Sequence, residues 1–167
     1  MSQILGLALV AGALGVVYAL ITAAWVVKQD AGNARMKEIS DAIKEGAEAF
    51  LAREYKTVAM VAVVLFVLLF FLGKWTAFGF LVGTVGSALA GYIGMVVTVR
   101  SNVRTTQAAF NGLQAALSVA FKGGSVTGIM VVGLGLLGIA CFYVITKSMA
   151  PVDDAFHALV GLGFGCS

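Results

Sequence analysis

Four long stretches of this sequence contain no charged residue, and they limit the folds open to the chain more than any other feature. They cover residues 4–27, 57–73, 75–99 and 123–146. A helix needs about 20 mainly apolar residues to cross the hydrocarbon core of a bilayer. The second stretch is slightly short, but lysines at both of its ends can extend to the interfaces. The sequence therefore predicts an all-α, polytopic transmembrane bundle with complete spans at about 4–27, 55–74, 75–99 and 123–146.

A fifth apolar run begins at about residue 155 and continues to Ser167, the last residue. Its roughly 13 residues would cover only about 20 Å of a hydrocarbon core that is about 30 Å thick. We therefore expect a single membrane domain over residues 1–167, with four complete spans and the start of a fifth. We also expect the natural protein to continue beyond Ser167, because complete proteins rarely end inside a span.

The composition excludes both a soluble globular domain and a disordered chain. Hydrophobic residues make up 60% of the sequence and charged residues 11%, whereas soluble domains average about 45–50% and about 25%. Disordered chains are poor in the Leu, Val and Ile that are abundant here. The net charge of +3 is spread over short loops, so no nucleic-acid partner is predicted. The expected solvent is a lipid bilayer.

The basic residues between the spans predict the orientation of the chain. The first and third loops contain nine of them, whereas the second and fourth contain only Lys74 and Lys147. Loops rich in Lys and Arg remain in the cytoplasm, so the N-terminus should lie outside. The first span is not a signal peptide, because no basic residue precedes it. With no targeting extension, we expect a multi-pass protein of a bacterial plasma membrane.

Both cytoplasmic loops show helical periodicity. In the first loop, one helix face carries the apolar residues Met36, Ile39, Ile43, Ala47 and Phe50. They predict a helix over about 34–56 that begins after the break at Gly32 and Asn33 and continues into the second span. In the third loop, a similar face is formed by Val103, Phe110, Leu113, Leu117 and Phe121. They predict a second helix over about 105–122, ended by Gly123 and Gly124.

Small residues recur every four positions within the spans. The rows are Ala11, Gly15, Ala19 and Ala23; Gly79, Gly83, Ser87 and Gly91; Gly86, Ala90 and Gly94; and Gly124 and Gly128. Such rows let helix backbones approach closely, which matters in lipid because the hydrophobic effect does not drive helices together there. They predict a tightly packed bundle without indicating what it transports.

The chemistry needed for catalysis or metal binding is sparse. The four charge-free stretches contain no Asp, Glu, Lys, Arg or His, which excludes the proteolipid ring subunit of rotary ATPases, since that protein needs a carboxylate in mid-membrane. Asp153 and Asp154 could form a metal pair, but beside Pro151 they fit an external turn and helix start better. His157 is more simply an interfacial polar residue than a ligand. Cys141 and Cys166 fit neither a disulfide framework nor a metal motif.

The charged residues of the first loop form a cluster that we interpret as a solvated helix face. Its members are Lys37, Glu38, Asp41, Lys44, Glu45 and Glu48. Lys44 and Glu48 are four positions apart and are expected to pair. We assign no catalytic, cofactor-binding or metal-binding residue anywhere in the chain.

Three stretches carry a resemblance to a known family. They cover residues 19–59, 99–128 and 158–167. The most specific patterns within them are KQDAGNARMKEISDAIKEGAEAFLAREYKT at 28–57, SNVRTTQAA at 101–109 and VAFKGGSVTG at 119–128. They resemble the N-terminal region of membrane-integral inorganic pyrophosphatases. That resemblance implies a homodimeric, Mg²⁺-dependent pump that couples hydrolysis of cytoplasmic pyrophosphate to outward movement of H⁺ or Na⁺. It also implies that the first four spans belong to an outer ring of helices.

By the same resemblance, the family's catalytic and metal-binding residues lie on inner helices, in the remainder of the pump. The chain on its own is therefore expected to be inactive toward pyrophosphate. One alternative from another class stays open at this point. The sequence also fits a self-standing, small polytopic membrane protein with a structural or assembly role.

Overall fold

A computed structural model describes residues 2–149 and 152–167, and every regular element in these ranges is an α-helix. The helices are α1 (Ser2–Lys28), α2 (Ala34–Leu72), α3 (Lys74–Ala109), α4 (Leu113–Met149) and α5 (Val152–Cys166). By length and composition α1 to α4 can each cross a membrane, whereas α5 is shorter. The predicted all-α class, the four spans and the short fifth helix are confirmed. The expected turn at Pro151 lies outside the described residues.

The helix predicted over about 34–56 and the second span form one continuous helix, as predicted. Asn33 caps the start of α2, because its side-chain oxygen accepts a hydrogen bond of 2.9 Å from the backbone nitrogen of Met36. Gly32 just before it has a φ of +78°, a left-handed conformation that glycine adopts without strain. At the other end a single residue, Gly73, separates α2 from α3.

The predicted helix over 105–122 is wrong. Helix α3 continues past the membrane-spanning stretch to Ala109, and α4 begins at Leu113 and runs through Gly123 and Gly124 without a break. The turn occurs instead at Gly112, whose φ of +109° favours glycine. Gly123 has a packing role, since a Cβ atom there would lie 2.6 Å from Ser101 Oγ.

Helix α3 lies at the centre of the bundle, where it packs against α2, α4 and α5, while α1 packs mainly against α4. The largest buried cluster joins α1, α3 and α4 through Ala19, Val26, Ala90, Val97, Val126 and Met130. A second cluster joins α4 and α5 through Phe142, Ala158 and Leu162. Many other large apolar side chains are exposed, as expected for a surface that faces lipid.

The predicted row of small residues on α3 is a packing surface for α5. A Cβ atom on Gly79 or Gly83 would collide with the backbone of α5. Gly161 and Gly165 of α5 are equally close to the backbone of α3. By contrast, Gly124 and Gly128 face open space within the described structure. The same pattern of small residues therefore forms a buried helix contact on α3 but an open surface at the start of α4.

Candidate functional site

The C-terminal end of α3 is joined to the end of α1 by Arg104. Its Nε atom donates hydrogen bonds of 3.1 Å to the backbone carbonyls of both Val27 and Gln29. The last carbonyls of a helix have no partner within that helix, and a cation there also complements the helix dipole. Burial lowers the pKa of the Arg104 guanidinium from its usual value, and neighbouring Arg100 lowers it further. Arg104 still remains charged, because an arginine side chain does not lose its proton in proteins.

Asp30 holds the loop between α1 and α2 in place. One of its carboxylate oxygens accepts a hydrogen bond of 3.0 Å from the Gly32 backbone nitrogen, and the other accepts one of 3.3 Å from Gln107 Nε2. A Cβ atom on Gly32 would lie 2.8 Å from Gln107 Oε1, so the loop and α3 are in close contact. The motifs at 28–57 and 101–109, which are far apart in sequence, therefore meet at one end of the bundle.

Two features of this junction were not predicted, although each has a recognisable pattern in the sequence. The Asp-x-Gly spacing of Asp30 and Gly32 is typical of a turn in which the Asp side chain bonds the backbone two residues later. The Nζ atom of Lys122 lies 3.6 Å from the centroid of the Trp25 ring, a cation–π contact between α4 and α1. Tryptophan near the end of a span commonly marks the membrane interface.

The charged cluster on α2 is a solvated face, as predicted, and part of it lines a cavity. The expected pair of Lys44 and Glu48 is confirmed, with an N–O distance of 3.7 Å between exposed side chains. Lys37 and Asp41 are exposed and Lys44 is partly exposed, as the interpretation requires, and all three also line an open cavity of about 290 Å³ between α2 and α3. This space is also lined by Arg100 and Arg104. We call it the basic cavity. Its walls were not predictable from α2 alone, because they come from α1, the α1–α2 loop, α2 and α3.

The carboxylates expected to play no catalytic role are scattered. Across residues 2–149 and 152–167, no three His, Cys, Asp or Glu side chains come together in a way that could hold a metal ion. Asp154 and His157 lie on α5, and Asp153 is a residue whose side chain is outside the described set. Cys141 and Cys166 are both free and exposed. That the chain holds no site residues remains a prediction.

Comparison with known proteins identifies the family. A profile described as "Inorganic H+ pyrophosphatase" matches residues 13–167. The whole chain is 46% identical to a K(+)-insensitive pyrophosphate-energized proton pump of Methanosarcina mazei. It is 44% identical, over 96% of its length, to a pump of the same description from Pyrobaculum aerophilum. Over 82% of its length it is 44% identical to a K(+)-stimulated pyrophosphate-energized sodium pump of Thermotoga maritima.

The chain spans about a quarter of the length of these curated relatives, covering 24%, 23% and 19% of them respectively. The matched region nevertheless includes the second half of α1, all of α2 to α5 and both motifs that meet at Arg104 and Asp30. On the strength of a profile match over nearly its whole length, the chain belongs to the inorganic H+ pyrophosphatase family.

Proposed function

We propose that this chain is part of an ion-translocating membrane pyrophosphatase, which couples hydrolysis of cytoplasmic pyrophosphate to outward pumping of H⁺ or Na⁺. The observation that carries the proposal is the family match over residues 13–167. The relatives include pumps described for protons and for sodium at nearly equal identity, so both ions must be tested. Four apolar helices and these relatives make the chain a multi-pass integral membrane protein. Bacteria and archaea are the sources of the relatives, in agreement with the expected plasma membrane.

The role proposed for this region is a scaffold. Binding pyrophosphate together with Mg²⁺ requires several carboxylates and cations that converge on one pocket. The described residues do not fit a Mg²⁺ site, because their acidic side chains do not converge. We infer that the Mg²⁺ ligands and the catalytic residues belong to the remainder of the pump, and no reaction step is assigned to side chains of this chain.

An open cleft between α3, α4 and α5 is the surface proposed to receive the remainder of the pump. Its walls are almost entirely apolar, and its volume is about 800 Å³. Four glycines that line it have free space where a Cβ atom would lie: Gly86, Gly135, Gly138 and Gly163. Exposed small residues are what a further membrane helix would need for close packing.

The homodimer expected for the family is proposed on the resemblance alone.

The function is tested with the full-length protein reconstituted in liposomes. Adding pyrophosphate and Mg²⁺ should release phosphate and move H⁺ or Na⁺ across the membrane. The two ions are distinguished by a pH-sensitive dye and by uptake of labelled sodium. A protonophore should abolish the pH change without stopping hydrolysis. The proposal is wrong if folded protein hydrolyses no pyrophosphate, or hydrolyses it without moving either ion.

A further inference from the structure

The basic cavity combines four cationic side chains with one carboxylate. Lys37 and Lys44 come from α2, and Arg100 and Arg104 come from α3, while Asp41 is the acid. The formal charge of these five groups is +4 − 1 = +3. Glu48 pairs with Lys44 only at 3.7 Å, and both side chains are largely exposed. Such a pair contributes little in water, so the cavity keeps a net positive charge that favours an anion.

The position of the cavity along the bundle matches the level of lipid headgroups. Val27 and Val99, which line it, are the last residues of two charge-free stretches. Trp25, two residues before Val27, is in contact with Lys122. Aromatic residues and cations of this kind are enriched where a span meets the cytoplasmic surface. The four cations therefore lie where the phosphates of the cytoplasmic leaflet would be.

A narrow groove continues from the basic cavity toward the membrane interior. It shares Lys44, Val99 and Arg100 with the cavity, it is also lined by Glu48, and it extends between α2 and α3 to Val96 and Tyr92. The last two residues lie within the third charge-free stretch. Only the inner end of the groove, at Leu51, Met95 and Val96, is apolar. The start of an acyl chain could pack there, whereas a free phosphate ion would make no contact with it.

We propose that the basic cavity binds the phosphate group of an anionic phospholipid, with the start of an acyl chain in the groove between α2 and α3. Basic pockets between transmembrane helices on the cytoplasmic side are suited to such headgroups. The lipid would neutralise cations that otherwise repel one another across the α2–α3 interface. This inference does not depend on the pump activity proposed above.

The test is native mass spectrometry of the full-length protein. The protein is equilibrated with equal amounts of phosphatidylglycerol and phosphatidylcholine that have identical acyl chains. The Lys37→Gln/Lys44→Gln double variant removes two cavity charges. Its matched control is Arg53→Gln/Lys56→Gln, which removes two charges of α2 that do not line the cavity. An Arg100→Gln variant tests the opposite wall, and circular dichroism verifies that each variant is folded.

The wild-type protein should retain phosphatidylglycerol in preference to phosphatidylcholine. Each interfacial cation should raise the ratio of retained phosphatidylglycerol to phosphatidylcholine about fivefold. This ratio should therefore fall roughly 30-fold in the Lys37→Gln/Lys44→Gln variant. Arg100→Gln should lose about fivefold, and the matched control should stay within about twofold. Equal retention by wild type and the cavity variants overturns the proposal. Lysine-dependent binding of inorganic phosphate to lipid-free protein, with displacement of phosphatidylglycerol by phosphate, would overturn the lipid as the source of the phosphate group.

Discussion

Gly83 of α3 and Leu162 of α5 are so close that a Cβ atom on the glycine would collide with the leucine's carbonyl oxygen. The two helices therefore touch through their backbones. One turn along the same face, Ser87 Oγ donates a hydrogen bond of 3.1 Å to the carbonyl oxygen of Cys166. In lipid, close van der Waals packing and such hydrogen bonds hold helices together, because the surrounding acyl chains are as apolar as the side chains.

The first prediction compares two glycines of α3. Gly83→Ala should lower the free energy of unfolding by about 1–3 kcal/mol, the usual cost of overpacking. The added methyl group would collide with the backbone of α5, which cannot move aside as a flexible side chain could. Gly86→Ala is the matched control, since nothing lies within 4 Å of a Cβ atom there. Unfolding of the full-length protein in mixed micelles, followed by circular dichroism, measures both. Equal stability of the two variants would show that α3 and α5 are not in backbone contact.

A larger substitution extends this comparison to assembly. Gly83→Leu should reduce the yield of folded protein much more than Leu81→Ala, because Leu81 is 45% exposed, whereas a side chain at Gly83 would collide with the backbone of α5. Size-exclusion chromatography in detergent gives the folded fraction. Normal yield of Gly83→Leu would mean that the row Gly79–Gly91 is not a packing face.

The second prediction concerns Arg104, which bonds the carbonyls of Val27 and Gln29. Arg104→Gln should lower the free energy of unfolding by about 1.5–3 kcal/mol, the range for hydrogen bonds to a charged group. It should also expose the α1–α2 loop to trypsin at Lys28. The control is Arg35→Gln, whose side chain pairs with Glu38 on an exposed surface. Unchanged protease resistance of folded Arg104→Gln protein would contradict a structural role for these bonds.

The third prediction concerns orientation. With Cys141 and Cys166 replaced by Ala, a new cysteine at Asn33 or Asn111 should resist an impermeant thiol reagent added outside intact cells. One at Ser148 should react. The physical reason is the concentration of basic residues in the first and third loops. The structure places those two loops at the same end of the bundle, where Arg104 meets Gln29. Labelling of Asn33 from outside would reverse the assigned topology.

The fourth prediction concerns acidic residues of α2. Glu38→Gln and Glu48→Gln should leave most pyrophosphate turnover of the full-length protein intact, because both side chains are largely exposed. Each change removes a surface pair worth a few tenths of a kcal/mol. A loss of more than about 100-fold in folded protein would correspond to about 2.7 kcal/mol of transition-state stabilisation. Such a loss would place this helix in the active site. Asp41 is not a neutral control, since it lines the basic cavity.

The sequence was enough to predict the four spans, the short fifth helix and the continuity of the helix at 34–56 with the second span. Charged side chains are costly in hydrocarbon, so each span must appear as an uninterrupted apolar stretch. A helix start is equally local, because Asn33 caps α2 with an atom of its own side chain. Features that depend only on one helix and its solvent can be predicted from neighbouring residues in the sequence.

Contacts between helices were decided only by the tertiary structure. Gly112 ends a helix, whereas Gly123 sits within one and makes room for Ser101, and the two glycines look alike in sequence. The bond from Arg104 to Val27 joins residues 77 positions apart, and the basic cavity draws its charges from two helices. Such juxtapositions depend on how the helices pack, and periodicity within one helix carries no information about the face of another.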